Sequence, residues 1–141
     1  MTKDDMTRAL SRWESLLAAF DADGLAELYT ADCRVTSPMF GDLRGRAAVA
    51  DSFHRLFSTF PDWKVTVVQQ IVDGDRAASV FSGTATHVGE FMGLPGTGRK
   101  AQLQGVRVYH FADGLIKEEL RLYDFTLMLI QLGVLRAKPG H

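Results

Sequence analysis

Between residues 103 and 123 the charged side chains Arg107, Glu119 and Arg121 fall on alternate positions of two apolar stretches, in phase with Tyr109 and Tyr123. Alternate residues of a β-hairpin share a face. One face therefore holds Arg107, Tyr109, Glu119, Arg121 and Tyr123, and the other Val106, Val108, Ile116, Leu120 and Leu122. A carboxylate beside two guanidiniums is held ionised, and the guanidiniums can polarise a carbonyl or epoxide oxygen as negative charge develops on it. That is proton-transfer chemistry: Glu119 takes or gives the proton, Arg107 and Arg121 stabilise the oxyanion, and Tyr123 orients the substrate.

The turn Asp113-Gly114 sets the register of this hairpin. A type I turn with Gly114 as a bulge puts Arg107 opposite Glu119 and Gly105 opposite Arg121. A tighter two-residue turn puts Arg107 opposite Leu120. In one reading the polar face lines a pocket. In the other, the valine and leucine face packs on helices and the charges form a solvated outer face or an oligomer contact.

Other chemistries lack their residues. The histidines at 54, 87, 110 and 141 have no second histidine or carboxylate at a metal-site spacing, so no metal is expected. The loop Gly93-Leu-Pro-Gly-Thr-Gly98 leads through Arg99 and Lys100 into a strand, whereas a phosphate loop opens a helix with Lys and Ser or Thr after its last glycine. No Gly-x-Ser-x-Gly elbow is present, and Cys33 is the sole cysteine. A net charge of −1 with interspersed signs gives no footprint for nucleic acid. No apolar signal core or membrane-length segment occurs, and with a single cysteine the expected setting is the reducing cytoplasm.

The elements that must position these groups follow from periodicity. A length of 141 residues, 46% of them hydrophobic, suits one domain spanning 1–141. Leu10, Trp13, Leu17 and Phe20 mark a first helix that stops at the turn 21–24, with Gly24 as its left-handed cap. A short helix over 25–29, a strand over 32–37 halted by Pro38, and a loop over 41–45 follow. A third helix carries Val49, Phe53, Phe57 and Phe60 and ends before Pro61. Strands are expected over 65–72, 76–87, 100–111 and 115–123. Asp124 then caps a helix with Phe125, Met128, Leu129 and Leu132 on one face, closed by Gly133, and residues 136–141 are expected to be loose. Helices segregated ahead of a run of strands give an α+β domain with helices on one face of a curved antiparallel sheet.

The block His87-Val-Gly-Glu-Phe-Met-Gly-Leu-Pro-Gly-Thr-Gly-Arg99, with Asp113-Gly114, Tyr123-Asp124-Phe125 and Gln131-Leu132-Gly133, resembles the SnoaL-like polyketide cyclase and ester cyclase group of the NTF2-like superfamily. Phe60-Pro61-Asp62 fits the wider superfamily. The resemblance implies an NTF2-like cone enclosing one deep pocket. It places positions 107, 119 and 121 on the pocket wall and matches His87 to a histidine of the family block. Arg107 and Arg121 stand where polyketide cyclases of the group have a histidine and the acid/base aspartate, and Ser37 stands where related proteins often have an acid. Arginine takes up no proton at neutral pH, so the family's aldol mechanism does not carry over through position 121.

The expected activity is that of a cofactor-independent cyclase, isomerase or lyase acting on an apolar oxygenated small molecule, polyketide- or terpenoid-like. Trp13, Met39, Phe53, Phe57, His87, Phe91, Met92, Tyr109 and Asp124 are the expected substrate-binding residues, with Phe91, Met92 and Leu94 on a lid. The alternatives are a noncatalytic binding protein of the same fold and an epoxide hydrolase. Val67, Val68, Val80 and Phe81 make strands 65–72 and 76–87 apolar on both faces, which implies a homodimer formed sheet to sheet.

Overall fold

The computed structural model describes residues 1–136, so the loose tail expected over 136–141 lies outside the described residues except for Arg136. The chain runs α1 (Lys3–Ala18), α2 (Ala22–Ala26), β1 (Tyr29–Ser37), β2 (Gly41–Arg44), α3 (Arg46–Thr59), β3 (Lys64–Asp73), β4 (Arg76–Thr86), β5 (Lys100–Ala112), β6 (Leu115–Tyr123) and α4 (Phe125–Leu132). The strands form one curved sheet in the order β2-β1-β6-β5-β4-β3. Its pairs are antiparallel except β1 with β6, which is parallel.

Local chemistry sets the helix ends. Thr2 and Asp5 close a capping box on α1, and Asp124 caps α4 while Gly133, at φ +81°, ends it. The left-handed residue after α1 is Phe20 (φ +57°), not Gly24. Gly24 lies inside α2, where the Asp21 carboxylate that caps this helix leaves no space for a Cβ. The second helix thus starts three residues before its expected position, which frees Tyr29 to open β1. The segment 41–45, expected as a loop, contains the short edge strand β2; Leu43 supplies its one buried side chain.

Met6, Leu10, Trp13 and Leu17 of α1, Val49, Phe53 and Leu56 of α3, and Met128, Leu129 and Leu132 of α4 are buried, and they pack with the inner sheet residues into one core. On the sheet's inner face lie Arg107, Tyr109, Glu119, Arg121 and Tyr123, as the alternation predicts.

The register differs from both expectations. Asp113 (φ +52°) and Gly114 (φ +81°) form a two-residue turn with both residues left-handed, closed by the pair Ala112 and Leu115. One residue further along, β6 carries a surplus member, Lys117, between the pairs Phe111–Ile116 and His110–Glu118. Turn and bulge together bring Arg107 opposite Arg121 and Gly105 opposite Tyr123. This shift by two residues preserves the faces beyond the bulge. Before it, Ile116 faces inward and is buried, contrary to its expected place with Val106.

The outer face carries apolar rungs. Ile71, Ala78, Val108 and Leu120 are neighbours across four strands, and Val80, Val106 and Leu122 form the adjacent rung. Ile71, Leu120 and Leu122 are 53%, 39% and 49% exposed. Phe81 and its partner Val67 point inward instead, and Val68 is the unpaired residue of a second bulge in β3.

Candidate functional site

The inner face of β5 and β6 meets α1 and α3 around a small cavity with about 50 Å³ of free space. Its walls include Trp13, Phe53, Trp63, Phe81, Arg107, Arg121 and Tyr123. A drug-sized ligand needs several hundred Å³, so this cavity admits only one end of a ligand. Leu17, Trp63 and Val65 are shared with an outer cleft of about 350 Å³, whose lining also includes Glu14, Phe20, Asp62 and Lys64.

Arg107, 3% exposed, lies between two aromatic rings, 4.2 Å from the centroid of Trp13 and 4.4 Å from that of Phe81. Its Nη1 donates to Glu14 Oε1 at 2.9 Å and to the Tyr109 hydroxyl at 3.3 Å. Among the described residues its Nη2 is buried with no hydrogen-bond partner. A buried donor without an acceptor is costly, and here it belongs to a residue of the cavity wall.

Arg121 and Glu119 form a second ion pair on the same face. Arg121 Nε donates to Glu119 Oε2 at 2.8 Å and Nη2 to Oε1 at 3.2 Å, while the Tyr29 hydroxyl also donates to Oε1. Trp13 Nε1 in turn donates to the Tyr29 oxygen at 2.9 Å. Both Glu119 oxygens are therefore engaged, and Glu119 lies behind the cavity wall rather than on it. Burial works against the Arg121 charge, but Glu119 and Tyr29 outweigh it and hold the guanidinium more firmly protonated than usual. The Arg121 guanidinium also lies 4.9 Å from the Phe53 ring centroid.

Glu14 is the carboxylate that sequence reasoning missed. Its side chain is 23% exposed, one oxygen is held by Arg107, and the other has no hydrogen-bond partner among the described residues. Burial raises its pKa above the ordinary carboxylate value, against the opposing pull of Arg107. The only signal in the sequence was its place beside Trp13, at the flank of the apolar stripe of α1.

Five of the nine expected substrate-binding residues divide between two places. Trp13 and Phe53 line the cavity. Met39, Phe91 and Met92 line a separate surface groove with Phe40, Arg55 and Glu90, which shares only Leu56 with the cavity. Tyr123 links the two regions, accepting a hydrogen bond from the Met39 backbone at 3.2 Å. Phe57 packs between Phe20 and Phe53. Tyr109 lies buried under Arg107. His87 is buried near Phe60 and Phe91, with Nδ1 3.0 Å from Thr97 Oγ1 and Nε2 without a partner among the described residues. Asp124 is exposed, and its side chain accepts from the Leu127 amide at 2.9 Å as the cap of α4.

The sequence profile of the SnoaL-like polyketide cyclase family matches residues 7–132. The chain belongs to this family. Solved structures of the same fold include AclR of Streptomyces galilaeus, 24% identical with a TM-score of 0.84, which covers 98% of this chain and 87% of that one. IdmH of Streptomyces antibioticus, assigned as a polyketide cyclase, is 28% identical with a TM-score of 0.76 over 90% of this chain and 97% of its own. An NTF2-like protein of Burkholderia pseudomallei is 20% identical with a TM-score of 0.78, covering 93% and 98%. No curated protein sequence matches. The SnoaL-like domain is thus an NTF2-like α+β fold. Among its described residues no cluster of His, Cys, Asp and Glu could hold a metal ion, and no helix is long and apolar enough to cross a membrane.

Proposed function

We propose that this SnoaL-like domain is a cofactor-independent cyclase or isomerase whose substrate is an apolar, oxygenated small molecule. The observation that carries the reading is Arg107 Nη2, a buried donor without a partner among the described residues, on the wall of a cavity lined mainly by aromatic and aliphatic side chains. A substrate oxygen there would satisfy it, and charge developing on that oxygen would meet a fixed guanidinium in a dry site. The outer cleft would take the apolar body of the ligand, with Leu17, Trp63 and Val65 between body and oxygenated end. Family membership supports the reaction type. In this reading Glu119 holds Arg121 and Tyr29 in place, and its use as a proton acceptor would require those donors to move away.

A noncatalytic binding role is the second reading. It is favoured by Arg121, an arginine locked to Glu119, which leaves the inner sheet face without a free carboxylate. Incubation with a dihydroxyanthraquinone as an aromatic, oxygenated probe separates the outcomes. Binding that weakens about tenfold or more in Arg107→Met supports the site; equal binding by both proteins refutes it. Mass spectrometry of small molecules extracted with the protein, before and after incubation, then distinguishes conversion from storage.

We also propose that the chain forms a homodimer through the outer apolar rungs around Leu120 and Leu122. Two-fold pairing of such a face is the common solution for an uncovered sheet.

A further inference from the structure

We propose that Glu14, on α1, is the proton-transfer residue of this site and that Arg107 is its oxyanion partner. The proposal rests on the functional reading above and deepens it by naming the base. Two groups near the cavity have unused capacity: the second carboxylate oxygen of Glu14 and Nη2 of Arg107. The 2.9 Å ion pair between these two side chains keeps their free atoms together. One belongs to the cleft, where the body of a ligand fits, and the other to the cavity, where its oxygen fits. A carbonyl compound seated across the neck would present its acidic C–H and its oxygen to these two groups, the arrangement that enolisation requires.

Competing carboxylates are already engaged. Glu119 is gripped by Arg121 and Tyr29. Asp62, across the cleft, accepts from the Thr86 amide at 2.7 Å and its hydroxyl at 2.6 Å, which holds its pKa below the ordinary range. Glu14 alone combines a free oxygen, partial burial and a pKa moved upward. The charged and titratable groups around it are Arg107 and Tyr109 on β5, Glu119 on β6, Lys64 at the start of β3 and Asp62 in the turn before that strand.

The test uses nitrobenzisoxazole, whose ring opening needs only a base. The Glu14 carboxylate removes the ring C–H proton, the C–H electron pair completes a nitrile, and the N–O bond breaks. The oxygen leaves as a coloured phenolate, facing Arg107, without any co-reactant. The wild-type protein should open the ring with saturable kinetics, at a rate that rises with pH through a midpoint above the ordinary carboxylate range. Glu14→Gln should lower kcat by about 100-fold or more with little change in KM, while Asp42→Asn, on the exposed edge strand β2, should retain the wild-type rate. Probe binding, read by quenching of tryptophan fluorescence, separates two failures. Glu14→Gln that binds the probe and turns it over within about twofold of wild type overturns the assignment of Glu14. A wild-type protein that binds no probe overturns the site itself and the proposed function with it. Binding without ring opening in the wild type overturns the assignment of Glu14 alone.

Discussion

Arg121 and Glu119, two residues apart on β6, turn toward each other in a two-point ion pair with N–O distances of 2.8 and 3.2 Å. Removing one member leaves the other charge buried and uncompensated. Arg121→Met or Glu119→Leu is therefore expected to lower stability by about 3–5 kcal/mol, whereas the double variant Arg121→Met, Glu119→Leu should recover most of the loss. Urea unfolding of the wild type and the three variants gives the coupling, and strictly additive losses would count against an intact pair.

The three tyrosines give a second expectation. Burial first, then the nearby carboxylate for Tyr29 and Tyr109, raises their pKa values, and Tyr123 is pushed up to about 12 from its ordinary 10.0. The native protein then keeps phenolic protons that the unfolded chain has released. Stability from this source is fully present below pH 10 and is lost as pH rises toward 12 and beyond. Absorbance of phenolate in the folded protein should stay flat through pH 10 and rise only near 12 or on alkaline unfolding; a midpoint near 10 would contradict it.

Assembly is open to direct measurement. Leu122→Arg places a charge on the exposed outer rung without touching the inner face. If the homodimer forms there, the wild type should scatter light as twice its 15.6 kDa mass and the variant as the single chain, with unchanged circular dichroism. A monomeric wild type at micromolar concentration would refute this interface.

Asp124 provides a contrast between stability and binding. Its side chain caps α4 on an exposed end, so Asp124→Ala should cost about 1 kcal/mol of stability. Binding of the anthraquinone probe should be unaffected, and loss of binding in a folded variant would restore Asp124 to the ligand site.

The sequence carried the inner face of β6 through its period of two, because Glu119, Arg121 and Tyr123 alternate with exposed residues whichever strand lies alongside. It did not carry the pairing, since a bulge at Lys117 has no periodic signature and, with the two-residue turn, moved Arg107 from Glu119 to Arg121. Edge strand β2, with one buried residue in four, was too short to stand out from a loop. Glu14 and Tyr29 escaped for a different reason. Their decisive partners lie 93 and 90 residues away, and local patterning cannot report a contact of that range. Met39, Phe91 and Met92 have the right apolar character for ligand contact, yet α3 separates their groove from the cavity through the shared Leu56.

Because Lys117 and Glu118 both face solvent opposite His110, removing Lys117 would leave a regular ladder in which Phe111 still meets Ile116 and His110 still meets Glu118. A relative lacking that residue would keep Glu119, Arg121 and Tyr123 turned inward. Its numbering would differ by one from the bulge onward, so residue equivalence within the family has to be assigned through a gap in mid-strand rather than at the turn.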